Sequence, residues 1–106
     1  MFLINNVYWK LSVVPADFPL LMRFDGSYAL GSCDSLIRTI YINENIHDNL
    51  LKKVLCHEIV HAAMFSYGID LSLDQEELVA NLISTYGDEI IYITNKIFSK
   101  LENNNL

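Results

Sequence analysis

The chain has 106 residues, of which 52% are hydrophobic and 19% charged, a composition that excludes disorder and suits one domain, residues 1–106, around one core. Its formal net charge is −6 and its isoelectric point about 4.8. Seven basic residues are scattered, with Lys52-Lys53 the only adjacent pair, which excludes the clustered cationic footprint of nucleic-acid binding.

An acidic surface repels anionic lipid and mildly favours neutral or basic polypeptide partners. Cys33 and Cys56 form no CxxC pair and no disulfide framework, which fits a reducing compartment. Residues 1–6 lack the basic leader and cleavage pattern of a signal peptide, and no run of about 18 apolar residues occurs. The expectation is a cytoplasmic protein without a membrane span.

In chain order, Val7, Trp9, Leu11 and Val13 carry the period-two signal of a strand, which Pro15 ends. Residues 15 to 24 read as a short helix or a turn, and Asp25-Gly26 as a turn. Tyr28 to Cys33 reads as a second strand and Asp34-Ser35 as a tight turn. Leu36 to Ile42, rich in β-branched and aromatic residues, is a third strand, pairing with the second as an antiparallel hairpin.

The period then changes. A helix starts with Asp48 as N-cap, carries Leu51, Val54, Leu55, Ile59, Ala62 and Ala63 as its apolar stripe, and ends at Gly68 as left-handed C-cap. Asp74 caps a second helix, with Glu77 closing a capping box and Leu78, Val79, Leu82 and Ile83 on its buried face. Gly87 kinks or breaks it; residues 88 to 101 continue with Ile90, Ile93, Ile97 and Leu101 on one face. Residues 102 to 106 read as a frayed tail. Strands followed by helices predict an α+β domain, a small N-terminal antiparallel sheet and then two helices.

The motif that carries chemistry is His57-Glu58-Ile59-Val60-His61. On a helix, residues four apart share a face at roughly 5–6 Å between Cβ atoms, so two imidazoles can converge on one zinc. Each keeps its second ring nitrogen for a supporting partner. Glu58 projects beside the metal, where a carboxylate can take a proton from water.

A catalytic zinc takes three protein ligands and one open position. His47, the third histidine of the chain, lies ten residues before His57, roughly 15 Å along a helix, too far to join them. No histidine follows His61, which excludes the HExxHxxGxxH arrangement. The third ligand is therefore expected among Asp70, Asp74, Glu76 and Glu77. Asp74 serves as cap, and Glu76 and Glu77 are rotated by about 100° from each other, so one of them faces the first helix. Glu77 is favoured because Asn81, four residues on, would place a supporting amide on the same face; Glu76 is the alternative.

HExxH with a glutamate on the next helix resembles the gluzincin pattern. With strands before the motif helix and Glu-x-x-Ala-Asn after it, the chain looks like the minimal gluzincins and is similar to the compact ImmA/IrrE-type metallopeptidases common in phages and mobile elements. The matching residues are His57, Glu58, His61, Ala62, Glu77, Ala80 and Asn81, preceded by the strand Thr39-Ile40-Tyr41-Ile42. The resemblance covers about residues 28 to 85 and departs from the ImmA/IrrE type at Val60 and Val79, where those chains often carry Gly and Glu.

The resemblance implies a zincin-like fold and a zinc-dependent endopeptidase of narrow protein substrate range. Zn2+ would be held by His57, His61 and Glu77 and would polarise the scissile carbonyl. Glu58 would take a proton from water and deliver it to the leaving amine. The strand before the motif helix would align substrate backbone from a sheet edge. An oxyanion helper would come from Tyr28, Arg38, Tyr67 or Tyr86, among which the residues do not choose.

The competing reading is a catalytically quiet binding or regulatory protein of a phage or mobile element. A structural zinc is normally closed by four protein ligands, and no obvious fourth exists here, which favours catalysis. A weaker third reading, resting on charge alone, is an inhibitor that blocks a host enzyme through an acidic surface. Cys56, about 100° from His57 on the helix, reads as a core thiol. Cys33, near a turn, could fold over the zinc to silence it. The run Ile90-Ile91-Tyr92-Ile93 reads as a packed helix face that would serve a dimer if exposed; the oligomeric state is not set by the sequence.

Overall fold

The computed structural model describes residues 1–103. The chain runs β1 (Phe2–Ile4), β2 (Val7–Val14), a 3-10 turn (Pro19–Leu21), β3 (Gly31–Asp34), β4 (Thr39–Asn43), α1 (Asp48–Ser66) and α2 (Leu73–Glu102). This is an α+β architecture, but the sheet is mixed rather than antiparallel. The strand order is β1-β2-β4-β3, and β2 pairs with β4 in parallel. After β2 the segment 15–30 lays Phe18 and Leu21 against one face of the sheet. The antiparallel β3–β4 hairpin then leaves β3 on the outer edge and returns β4 beside β2. Periodicity reports that a segment is a strand; it does not report which neighbour the strand takes.

β1 is an element that the period-two reading did not include, because three residues carry too short a pattern. It pairs with β2 through Asn5 and Asn6, both at positive φ, 48° and 63°, the backbone of a two-residue hairpin turn.

The sheet is covered on both faces. On one, Trp9, Ile40, Ile42, Ile46 and Ala62 form a buried cluster with Leu51, Val54, Leu55 and Ile59 of α1; a fully buried isoleucine such as Ile40 contributes about 1.5–3 kcal/mol by leaving water. On the other, Val14, Leu21 and Tyr41 are closed by Phe18, whose ring lies 5.2 Å from that of Tyr41. Leu11 and Val13 remain 47% and 63% exposed, because α1 packs on β3, β4 and β1. Trp9 Nε1 donates to Ser66 Oγ at 2.8 Å, and Asn5 Nδ2 donates to the Ser66 carbonyl at 3.0 Å. These bonds pin the first hairpin to the end of α1.

The helix ends partly revise the sequence expectations. His47, in extended backbone, is the N-cap of α1 and makes no side-chain cap bond. Asp48, the first residue of α1, follows it in left-handed backbone at φ 54° and does not serve as the N-cap. Gly68 stands where expected, at φ 64°. Its N–H and that of Ile69 donate to the carbonyls of Phe65 (3.1 Å) and Met64 (2.9 Å), a Schellman closure.

Ser72, not Asp74, caps α2: its hydroxyl accepts from Gln75 N–H, and the Gln75 side chain accepts from Ser72 N–H. α2 runs unbroken through Gly87. Its least exposed positions are Glu76, Val79, Ala80, Ser84 and Gly87, whereas Leu78, Leu82 and Ile83 are 69%, 50% and 41% exposed. Small residues on that face let α2 approach α1. Of the expected frayed tail, residues 102–106, Glu102 still belongs to α2, and residues 104–106 lie outside the described part.

Candidate metal centre

The 3.6-residue turn of α1 stacks His57 and His61 side by side, with ring centroids 5.0 Å apart. Their Nε2 atoms are 3.3 Å apart. α2 brings two adjacent carboxylates to them. Glu77 Oε1 lies 2.7 Å from His61 Nε2, and Glu77 Oε2 lies 3.2 Å from His57 Nε2. Glu76 Oε1 lies 2.6 Å from His61 Nδ1.

The expectation that only one of the two glutamates faces α1 is thus corrected. The carboxylates reach the two opposite edges of one imidazole, so both find a nitrogen despite their rotation about the helix. Asn81, expected as the supporting amide, is exposed; the group that holds His61 Nδ1 is Glu76.

With Nδ1–H donating to Glu76, neutral His61 presents only a lone pair at Nε2. That lone pair faces a carboxylate oxygen and a second imidazole, an arrangement that calls for a cation or a proton at its centre. Two nitrogens at 2.0–2.1 Å from one tetrahedral zinc lie about 3.3 Å apart, the separation found here. His57, His61 and Glu77 form a group whose ligand atoms all lie within 4.8 Å of one another, with the solvent side open.

Glu58 is buried, at 7% exposure, yet it lines the same cleft as the two histidines. Burial raises its carboxyl above the ordinary glutamate value; His57 and His61 pull it back down, and Glu77 pushes it up. It packs under the start of β3, where the bare Cα of Gly31 leaves room: a Cβ there would lie 3.0 Å from Glu58 Cγ. No periodicity marks Gly31, although a glycine at a strand position is itself a signal of close approach.

The cleft measures about 680 Å³ and is walled by β3 residues Gly31 to Cys33, by His57, Glu58 and His61, and by Glu76 and Glu77. Burial, with the Glu58 carboxylate beside it, pushes the Cys33 thiol up to about 12, so it stays protonated. It lies outside the His57–His61–Glu77 group. None of Tyr28, Arg38, Tyr67 and Tyr86 is among the residues lining the cleft; the cationic side chain there is Arg23, on the 15–30 segment where no periodicity marked it. His47 stands at the far end of α1. Asp70 and Asp74 are exposed and do not line the cleft.

Comparison with protein-family models, curated proteins and solved structures finds no match to this chain.

Proposed function

We propose that the chain is a zinc-dependent peptidase of zincin-like architecture that hydrolyses peptide bonds in a narrow range of polypeptides. The observation that carries this reading is the convergence of His57 Nε2, His61 Nε2 and the Glu77 carboxylate beside a buried glutamate in an open cleft. His57, His61 and Glu77 would hold the metal, which when bound supplies a Lewis acid and lowers the pKa of water toward neutrality.

The remaining steps belong to the chain's own residues. Glu76 accepts from His61 Nδ1–H, which fixes the ring and keeps Nε2 free to coordinate. Glu58 accepts a proton from the attacking water and, as a carboxylic acid, passes it to the leaving amine. The raised proton affinity of its buried carboxyl suits both transfers. β3 is the sheet edge that borders the cleft, so its unpaired backbone groups are available to an extended peptide. β4, the strand matched to the family pattern, is central and buried along its whole length and cannot serve in that way.

The test is zinc content by elemental analysis with a competition titration, followed by cleavage of a peptide library. Wild type is expected to hold about one zinc per chain. Glu77→Ala loses it, Glu76→Ala binds it about 10–100-fold more weakly, and Glu58→Gln keeps it without cleaving. Absence of zinc from wild type after reconstitution would refute the reading.

A further inference from the structure

Every residue from Asp88 to Asn103 is exposed, and the molecule measures 55 Å by 29 Å by 28 Å. The second half of α2 is nevertheless made of residues that hold a helix poorly alone: Ile90, Ile91, Ile93, Thr94 and Ile97 are β-branched and lose rotamer freedom there. An isolated helix of this length is marginal in water, and its stability has to come from packing an apolar face.

That face is present. Ile83, Tyr86, Ile90, Ile93 and Ile97 recur at the alternating three-and-four spacing of a heptad seam and are 41–54% exposed. With Leu101 on the flank they present on the order of 550 Å² of mostly apolar surface per copy, at the small end of what a specific pairing buries.

The charges beside the seam select the occupant. In this heptad frame Glu89 and Lys96 are successive residues of one flank. When two copies run antiparallel, like flanks meet, so Glu89 of each chain faces Lys96 of the other and two ion pairs form by symmetry. In a parallel pair the facing flank would hold Gly87, Thr94 and Leu101, which offer neither charge a partner. Asp88 lies off the seam and is bonded to Lys52 of its own chain. We infer that the second half of α2 docks, antiparallel, on the same segment of a second copy of this chain. The cleft-lining residues of α2, Leu73, Glu76 and Glu77, precede the seam, which leaves the cleft open. The inference does not rest on the metal centre.

The test is light scattering coupled to size exclusion, with sedimentation to measure affinity and Trp9 fluorescence to report that the body of each variant is folded. Wild type is expected at twice the 12.2 kDa chain mass and Ile93→Asp at the chain mass. Lys96→Glu turns both attractions into repulsions and weakens the dimer about tenfold; adding Glu89→Lys restores it. A monomeric wild type, a dimer indifferent to Ile93→Asp, or a Lys96→Glu defect left unrescued by Glu89→Lys would overturn the inference. A monomer that sediments with phosphatidylcholine vesicles would also overturn it and would give the face to a lipid surface.

Discussion

Replacing Gly31 by alanine probes how closely β3 and α1 meet at the cleft. The new Cβ would lie 2.8 Å from Val54 Cγ1, 3.0 Å from Glu58 Cγ and 3.2 Å from Glu58 Oε2. Carbon atoms at their optimum are about 3.5–4.0 Å apart, so the two carbon contacts are short by roughly 0.5–1 Å. Val54 yields little, because a β-branched side chain on a helix keeps essentially one rotamer. Glu58 has the flexible chain and is the group that moves, away from β3 and out of its place in the cleft.

Overpacking of this kind costs about 1–3 kcal/mol, which lowers the melting temperature of a chain this size by roughly 5–20 °C. Displacing a general base by close to 1 Å lowers kcat by up to about 100-fold. Zinc affinity is retained, since no proposed ligand is touched. Thermal melting followed by circular dichroism, a zinc titration and turnover of a peptide found in the library screen measure the three quantities. A variant that melts and cleaves like wild type would refute the close approach, and with it the seating of Glu58 by β3.

Further outcomes follow from the same contacts. In the metal-free chain Glu58→Gln is stabilising at neutral pH. Burial raises the Glu58 carboxyl, so the folded chain keeps its proton to higher pH than the unfolded one. Stability is then lost as pH rises from the ordinary carboxylate range through the raised folded value. The amide removes that loss, gaining about 1.4 kcal/mol for each unit of the shift at pH 7 and nothing near pH 4. Urea melts at the two pH values check this, and an equal gain at both would exclude burial of the charge as the cause. Ser66→Ala leaves the fully buried Trp9 Nε1 without its acceptor and costs about 1–3 kcal/mol in urea unfolding followed by tryptophan fluorescence. Ser72→Ala removes the capping box of α2 and costs about 1 kcal/mol, more than Asp74→Ala; the reverse order would return the cap to Asp74.

Several features were legible in the residues because the physics that sets them is local. The His57–His61 pair depends only on the helical turn, and Gly68 closes α1 because a left-handed residue is wanted there. The β3–β4 hairpin follows from a short turn between two β-rich runs. The helix caps were less legible. Ser72-Gln75 and Asp74-Glu77 both satisfy a capping pattern, and only the entry path of the chain selects between them. The glutamates are illegible for a related reason. Their rotation about α2 predicts one facing residue only if α1 offers a single target, whereas His61 offers a nitrogen on each of two edges.

The sequence by itself therefore determined the helix that carries the histidines, the order of strands before helices, and a carboxylate on α2 as their partner, since each follows from spacing along a few turns of chain. The tertiary structure decided the parallel pairing of β2 with β4, the position of β3 at the edge of the cleft, which histidine nitrogens Glu76 and Glu77 each meet, and the burial of Glu58 beneath Gly31. These depend on how elements distant in sequence pack together, and no local periodicity encodes the distance or direction of such a contact.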